Sequence, residues 1–113
     1  MHEYSIVQAM FEQIERIAGE RHAATVRGVT VRIGTAAGLD VALFRSAFNL
    51  YRVRTICDGA ALVIEEVPAR WVCPDGDGAM PPGQRLTCQR CGRPARLEAG
   101  DEITLMKLDL EVP

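Results

Sequence analysis

Aromatic side chains and excess positive charge are both scarce in this chain. Phe, Trp and Tyr make up 5% of its 113 residues, and 13 Lys and Arg stand against 15 Asp and Glu, for a formal net charge of −2. Proteins that bind nucleic acid or anionic membranes carry a basic face, and those that bind single strands stack bases on aromatic rings. The composition therefore predicts neither nucleic acid nor membrane as a partner.

Long apolar runs and export signals are missing as well. No stretch approaches the roughly 20 apolar residues that cross a bilayer, and the N-terminus has no basic region followed by an apolar block, as a signal peptide would. We therefore expect a cytoplasmic protein. No Ser/His/Asp set, paired-carboxylate cleft or phosphate loop is visible either, so we expect a protein that is not an enzyme.

Periodicity predicts two helices. Ser5 and Gln8 fit a capping box, which would start the first helix at Ser5 and leave residues 1–4 outside it. Apolar residues then recur at helical spacing as far as Ala18. Asp40 is expected to cap the second helix, whose apolar face comprises Leu43, Phe44, Ala47, Phe48 and Tyr51.

Alternating side chains predict strands at residues 29–33 and 60–67, and another at the end of the chain. In the last of these strands, the apolar residues change from odd-numbered to even-numbered positions near 105–106. We therefore expect two strands that follow each other directly, one belonging to an insert and one to the main sheet. The predicted fold class is α+β, with two helices packed on a three-stranded sheet and a small inserted zinc-ribbon-like lobe. The predicted domains are residues 1–68 plus 104–113, and an insert at 69–103.

Four cysteines occur, and three of them lie in the predicted insert: Cys57 outside it, and Cys73, Cys88 and Cys91 within it. Cys88 and Cys91 have the spacing of a zinc knuckle, but a complete zinc ribbon would have a cysteine where this chain has Gly76. Zinc would be held by the three thiolates and a fourth ligand from Asp75, Asp77, water or another chain. The alternative is that zinc is absent or labile, with the lobe either disordered or held by a disulfide that joins Cys88 to Cys91 or involves Cys73. Cys57 is expected to be a small buried hydrophobe.

The first residues, Met1-His2-Glu3, can form a nitrogen chelate. The α-amine, the amides of His2 and Glu3 and the imidazole suit square-planar Ni(II) or Cu(II). The amides must lose protons to bind, so such a site would strengthen as pH rises. An accidental terminus explains the same residues if nothing else in the chain agrees.

Segments along the whole chain resemble the HypA/HybF family of nickel metallochaperones in nickel–iron hydrogenase maturation. They are residues 1–5, 38–40, 43–48, 64–74, 88–92 and 100–103. The resemblance implies transient Ni(II) binding by Met1, His2 and Glu3, with Asp40 nearby, and structural Zn(II) on Cys73, Cys88 and Cys91. Gly76 departs from the family pattern, where a further zinc cysteine stands. His22, the other histidine, is expected to be a solvated surface residue.

The resemblance also implies partners, which are a HypB-type GTPase, the hydrogenase large subunit and, in some bacteria, urease maturation proteins. We expect the chain to be a monomer or a homodimer. A competing hypothesis is a zinc-ribbon module without nickel function, which would bind protein or nucleic acid through a basic face formed by Arg85, Arg90, Arg93 and Arg96. A dithiol redox protein fits poorly, because Cys88 and Cys91 do not follow a strand at a helix start.

Overall fold

Two helices and five strands make up the computed structural model, which describes residues 2–73, 87 and 92–113. Strands β2, β1 and β5 form one sheet in that order, and β3 pairs with β4 in a separate hairpin. The predicted α+β architecture is confirmed. In chain order the elements are α1 (Glu3–Glu20), β1 (Thr25–Gly34), α2 (Val41–Tyr51), β2 (Ala61–Val67), β3 (Arg70–Val72), β4 (Arg96–Ala99) and β5 (Ile103–Glu111).

Strand β1 is the centre of the larger sheet. It runs parallel to β2 and antiparallel to β5, and its inward side chains Val29, Val31 and Ile33 are buried. It is longer than the predicted 29–33, because its first residues pair with the end of β5. We call α1, α2, β1, β2 and β5 the α/β body.

Helices α1 and α2 cover one face of this sheet. The aromatic rings tie them together: the centroid of Phe11 lies 5.3 Å from that of Phe48 and 4.7 Å from that of Tyr51. Burial of such side chains is the main stabilising term in a domain of this size. The helical part of the core consists of Val7, Met10, Phe11, Ile14, Ala18, Phe44 and Phe48.

The predicted start of α1 was wrong. The helix begins at Glu3 with His2 as N-cap, and Ser5, the expected cap, lies exposed within the first turn. The reason is a tertiary contact: the Glu3 carboxylate is buried against the start of α2, so the helix extends to reach it. A local capping pattern cannot report a partner that lies 37 positions away in the chain.

The predicted division of the last strand was also wrong. Strand β5 is one continuous strand that pairs with β1 from Ile103 onward. The change of parity is absorbed by a bulge at Met106, because Thr30 pairs with Lys107 while Val31 pairs with Leu105. Residues on both sides of the bulge therefore pack on the core: Ile103, Leu105, Leu108 and Leu110.

Strands β3 and β4 form the hairpin that leads into and out of the cysteine-bearing segment. Arg70 and Glu98 are bridged across it, with Nε and Oε1 2.7 Å apart. Their side chains are about half exposed, so the pair contributes little, on the order of 0–1 kcal/mol. The division into two domains at 69–103 stays a prediction. Among the described residues, no helix is long and apolar enough to cross a membrane.

Candidate metal sites

His2 stands at the surface, directly before α1. Its carbonyl accepts the first hydrogen bond of the helix, from the N–H of Ile6 at 3.0 Å. Its side chain makes no capping hydrogen bond, and the residue is exposed. The backbone of His2 is therefore fixed by the helix start, while the imidazole is on the outside, where a metal and an approaching partner can reach it.

Glu3 is a charged residue buried at the start of both helices. It is 6% exposed, and its Oε2 accepts a hydrogen bond of 3.0 Å from the N–H of Asp40. Because Glu3 begins α1 and Asp40 precedes α2, the carboxylate lies where two helix N-termini converge, and the positive ends of both helix dipoles favour its negative charge. This contact brings the first turn of α1 to Asp40.

The pKa of the Glu3 carboxyl is lowered from 4.5 to about 2. The largest cause is a hydrogen bond from the α-ammonium group, followed by hydrogen bonds from the N–H groups of Asp40 and of Glu3 itself. Burial opposes these effects and raises the pKa, since desolvation disfavours the charged form. Glu3 is therefore a carboxylate throughout the neutral range.

Asp40 caps α2, as predicted. Its Oδ1 accepts from the N–H of Leu43 at 3.1 Å, and its carbonyl accepts from the N–H of Phe44 at 2.8 Å. The residue is exposed, and a carboxylate has a second oxygen that can face a cation. A cap and a metal contact can therefore coexist on one side chain, and the nickel role of Asp40 stays a prediction.

The structure places three of the four predicted nickel residues together: His2 and Glu3 are consecutive, and Asp40 is hydrogen bonded to Glu3. Met1 lies outside the described residues. Within the described ranges, no three His, Cys, Asp or Glu side chains are grouped so that they could hold a metal ion. The predicted terminal chelate does not need such a group, because most of its nitrogens would come from the backbone.

Only one of the three predicted zinc cysteines falls within the described residues. Cys73 directly follows β3 and is 1% exposed. Cys88 and Cys91 lie outside the described part of the chain, as do Asp75, Gly76 and Asp77. Two flanking features suit a knuckle: Thr87 and Pro94 form an antiparallel bridge on either side of the pair in sequence, and Gly92 has the left-handed φ of 73° expected after the second cysteine.

The other residues considered in the sequence analysis are Cys57, His22 and the four arginines of the competing hypothesis. Cys57 is fully buried, as expected, and burial raises the pKa of its thiol to about 11, with a smaller contribution from the charge of Glu15 against an opposing one from Arg52. His22 is exposed, with a left-handed φ of 52°. Of the proposed basic face, Arg93 and Arg96 are exposed, while Arg85 and Arg90 lie outside the described residues.

The hydrogen bond between the Glu3 side chain and the N–H of Asp40 was not predicted from the sequence. The sequence gives only a weak indication of such a contact, because an acidic side chain is favourable next to a helix N-terminus. The partner could not be found in this way, because nothing local indicates which distant N–H the carboxylate meets.

Comparison with known proteins gives one consistent result. The family model described as hydrogenase/urease nickel incorporation, metallochaperone, hypA matches residues 1–110. A hydrogenase maturation factor HypA from Nitrosospira multiformis is 36% identical over 112 residues, covering 97% of each chain. One from Shewanella baltica is 34% identical over 113 residues, covering 98% of this chain and 97% of its own.

Solved structures agree with the sequence relatives. The solution structure of the Ni metallochaperone HypA from Helicobacter pylori superposes with a TM-score of 0.73 at 28% identity, and the match covers 100% of both chains. A second solution structure of a HypA protein gives a TM-score of 0.75, also at 28% identity. The likeness therefore extends over the α/β body and the hairpin together.

Proposed function

This chain belongs to the HypA family of nickel-incorporating metallochaperones of hydrogenase maturation, and we propose that the nickel it carries is bound at its N-terminus. A metallochaperone is a maturation factor rather than a catalyst. The observation that carries the proposal is the hydrogen bond from the Asp40 N–H to the buried Glu3 carboxylate. It holds the exposed His2 and the carboxylate of Asp40 at one end of the α/β body.

The donors would be the α-amine of Met1, the amide nitrogens of His2 and Glu3, and the imidazole of His2. Glu3 is the first residue of α1, so its N–H is not part of the helical backbone hydrogen bonding and donates instead to its own carboxylate. Nickel could therefore replace that proton without breaking a backbone bond of the helix. The carboxylates of Glu3 and Asp40 would offset the positive charge of the ion. Four nitrogens in a plane suit Ni(II).

Delivery requires ligands that can be exchanged for those of a recipient. The exposed imidazole of His2 and the exposed Asp40 allow recipient ligands to approach one at a time. The family assignment implies partners in hydrogenase maturation. We propose that these are a HypB-type GTPase and the hydrogenase large subunit, with urease maturation as a further client, and that the chain acts in the cytoplasm as a monomer or homodimer.

We further propose that Cys73, Cys88 and Cys91 hold a structural Zn(II) in an inserted domain at residues 69–103. Tetrahedral zinc prefers four ligands, and thiolates are its usual structural donors. The burial of Cys73 and the turn at Gly92 support a structural role for the ion, with Asp75, Asp77, water or another chain as the fourth ligand. When bound, the ion would cross-link the loop and would perform no chemistry. Strands β3 and β4 would position Cys73.

The two histidines offer a matched test of the nickel site. Both are exposed, and the chain has no others. We expect His2→Ala to abolish stoichiometric Ni(II) binding and the visible absorbance of planar nitrogen ligation, and His22→Ala to leave both unchanged. Equal binding by both variants, measured by calorimetry with far-UV dichroism as a check of folding, would rule out His2 as a ligand.

A further inference from the structure

Three segments of backbone meet where the chain passes between the α/β body and the hairpin. They are residues 34–36 after β1, 67–69 before β3, and 100–102 after β4; we call this meeting point the joint. The N–H of Thr35 donates to the carbonyl of Val67 at 2.8 Å, and the N–H of Ala36 donates to that of Gly100 at 2.8 Å. Residues 35 and 36 of the body are thus hydrogen bonded both to the segment that enters the hairpin and to the segment that leaves it.

A side chain adds a further bond at the same place. The N–H of Ala69 donates to Oγ1 of Thr35 at 2.8 Å, directly before β3 begins at Arg70. The bond joins the body to the outgoing linker. It depends on a hydroxyl group that substitution can remove without changing the size of the side chain.

The backbones at the joint are packed too closely for a β-carbon at two positions. A β-carbon on Gly34 would overlap the carbonyl of Gly100. One on Gly100 would lie 2.6 Å from the carbonyl oxygen of Pro68, and Gly100 also has a φ of 95°. Both glycines are therefore required by close approach, and the contact leaves the segments little freedom to slide.

We propose that the joint holds the hairpin in one orientation relative to the α/β body, and that the hydrogen bond to the Thr35 hydroxyl stabilises this orientation. The hairpin shares no strand pairing with the larger sheet among the described residues, so its orientation depends on this contact. The two parts also face each other across a cleft of about 380 Å³, lined by Arg32, Thr104 and Met106 on one side and by Glu98 on the other. The inference does not depend on nickel binding, and it concerns the hairpin as it is folded in the purified chain, with whatever zinc that chain carries.

The single tryptophan makes the test direct. Trp71 lies in β3, so its time-resolved fluorescence anisotropy reports the motion of the hairpin. In the native chain we expect Trp71 to lose anisotropy with the tumbling time of the whole molecule. In Thr35→Val we expect an added decay component, several-fold faster, and at least tenfold faster hydrogen exchange at the Ala69 amide.

Two controls isolate the hydroxyl. Thr35→Ser keeps the acceptor and should restore the native decay, while Thr30→Val makes the same chemical change within β1, away from the joint. A native-like anisotropy decay in Thr35→Val would contradict the stabilising role of the Thr35 hydroxyl. A fast decay component of similar size in the native chain would contradict the fixed orientation itself. This measurement needs no variant, so it remains valid if a variant fails to fold.

Discussion

The α/β body and the hairpin differ in how they are stabilised. In the body, α1 and α2 bury a continuous apolar core on one face of a three-stranded sheet. In the described part of the hairpin, only Val72 and Cys73 are buried, and neither belongs to that core. Two strands with so little buried surface are marginally stable by themselves. The comparison predicts a body that folds on its own and a hairpin that depends on metal and on the joint.

The largest expected effect is on the hairpin. Cys73→Ser should remove the proposed zinc site, since structural zinc contributes on the order of 10 kcal/mol to the folding of small domains. We expect loss of bound zinc in elemental analysis and a red-shifted Trp71 emission, with the helical far-UV signal of the body retained. Cys57→Ser is the control and should keep its zinc. A Cys73→Ser chain with native zinc content would show that the assigned ligand set is wrong.

Next in size is a core substitution in the body. Phe48→Ala removes a fully buried ring that contacts Phe11 and should lower the free energy of unfolding by about 3–5 kcal/mol. Leu50→Ala, on the same helix at 72% exposure, should change it by less than about 0.5 kcal/mol. Urea denaturation followed by dichroism measures both. Similar losses in the two variants would contradict the assignment of the core.

Two substitutions of Asp40 can distinguish its helix-capping role from a contact with the metal. Asp40→Ala should lower the free energy of unfolding by about 1 kcal/mol through loss of the bond to Leu43, whereas Asp40→Asn should keep the cap. If the carboxylate also contacts nickel, both variants should bind Ni(II) more weakly. Native nickel affinity in Asp40→Asn would limit Asp40 to capping.

The smallest effect is a pH dependence at Glu3. Its pKa is about 2 in the folded chain and 4.5 ordinarily, so its contribution to stability is complete above pH 4.5 and is lost as pH falls towards 2. Glu3→Gln should therefore be less stable than the native chain at pH 6 and approach it at pH 2.5. Thermal unfolding at the two pH values measures the difference. A constant gap between the chains would contradict the ionised contact.

Much of the α/β body could be predicted from its sequence because its signals are local. The cap at Asp40, the inward Val29, Val31 and Ile33, and the buried Cys57 all follow from residue type and spacing. The bulge at Met106 was misinterpreted because a change of parity fits either a bulge or a break, and only pairing with β1 distinguishes them.

The start of α1 and the joint could not be predicted, because both depend on contacts between segments far apart in the chain. Glu3 meets Asp40, and Thr35 meets Ala69. The requirement for glycine at position 34 arises from the close approach of Gly100, which nothing near Gly34 in the sequence indicates. The candidate nickel residues were found from the terminal sequence and a family resemblance, while their arrangement around a buried carboxylate required the structure.

The most direct test of the proposed nickel site is the terminal amine. Ni(II) titration of the chain with a free Met1 amine should show one equivalent bound, with absorbance in the visible d–d region. The same chain with an acetylated N-terminus should lose both, because acetylation removes a nitrogen donor. A one-residue extension would be a poor control, since it places the imidazole third and completes another four-nitrogen chelate. Undiminished binding by the acetylated chain would contradict the terminal site.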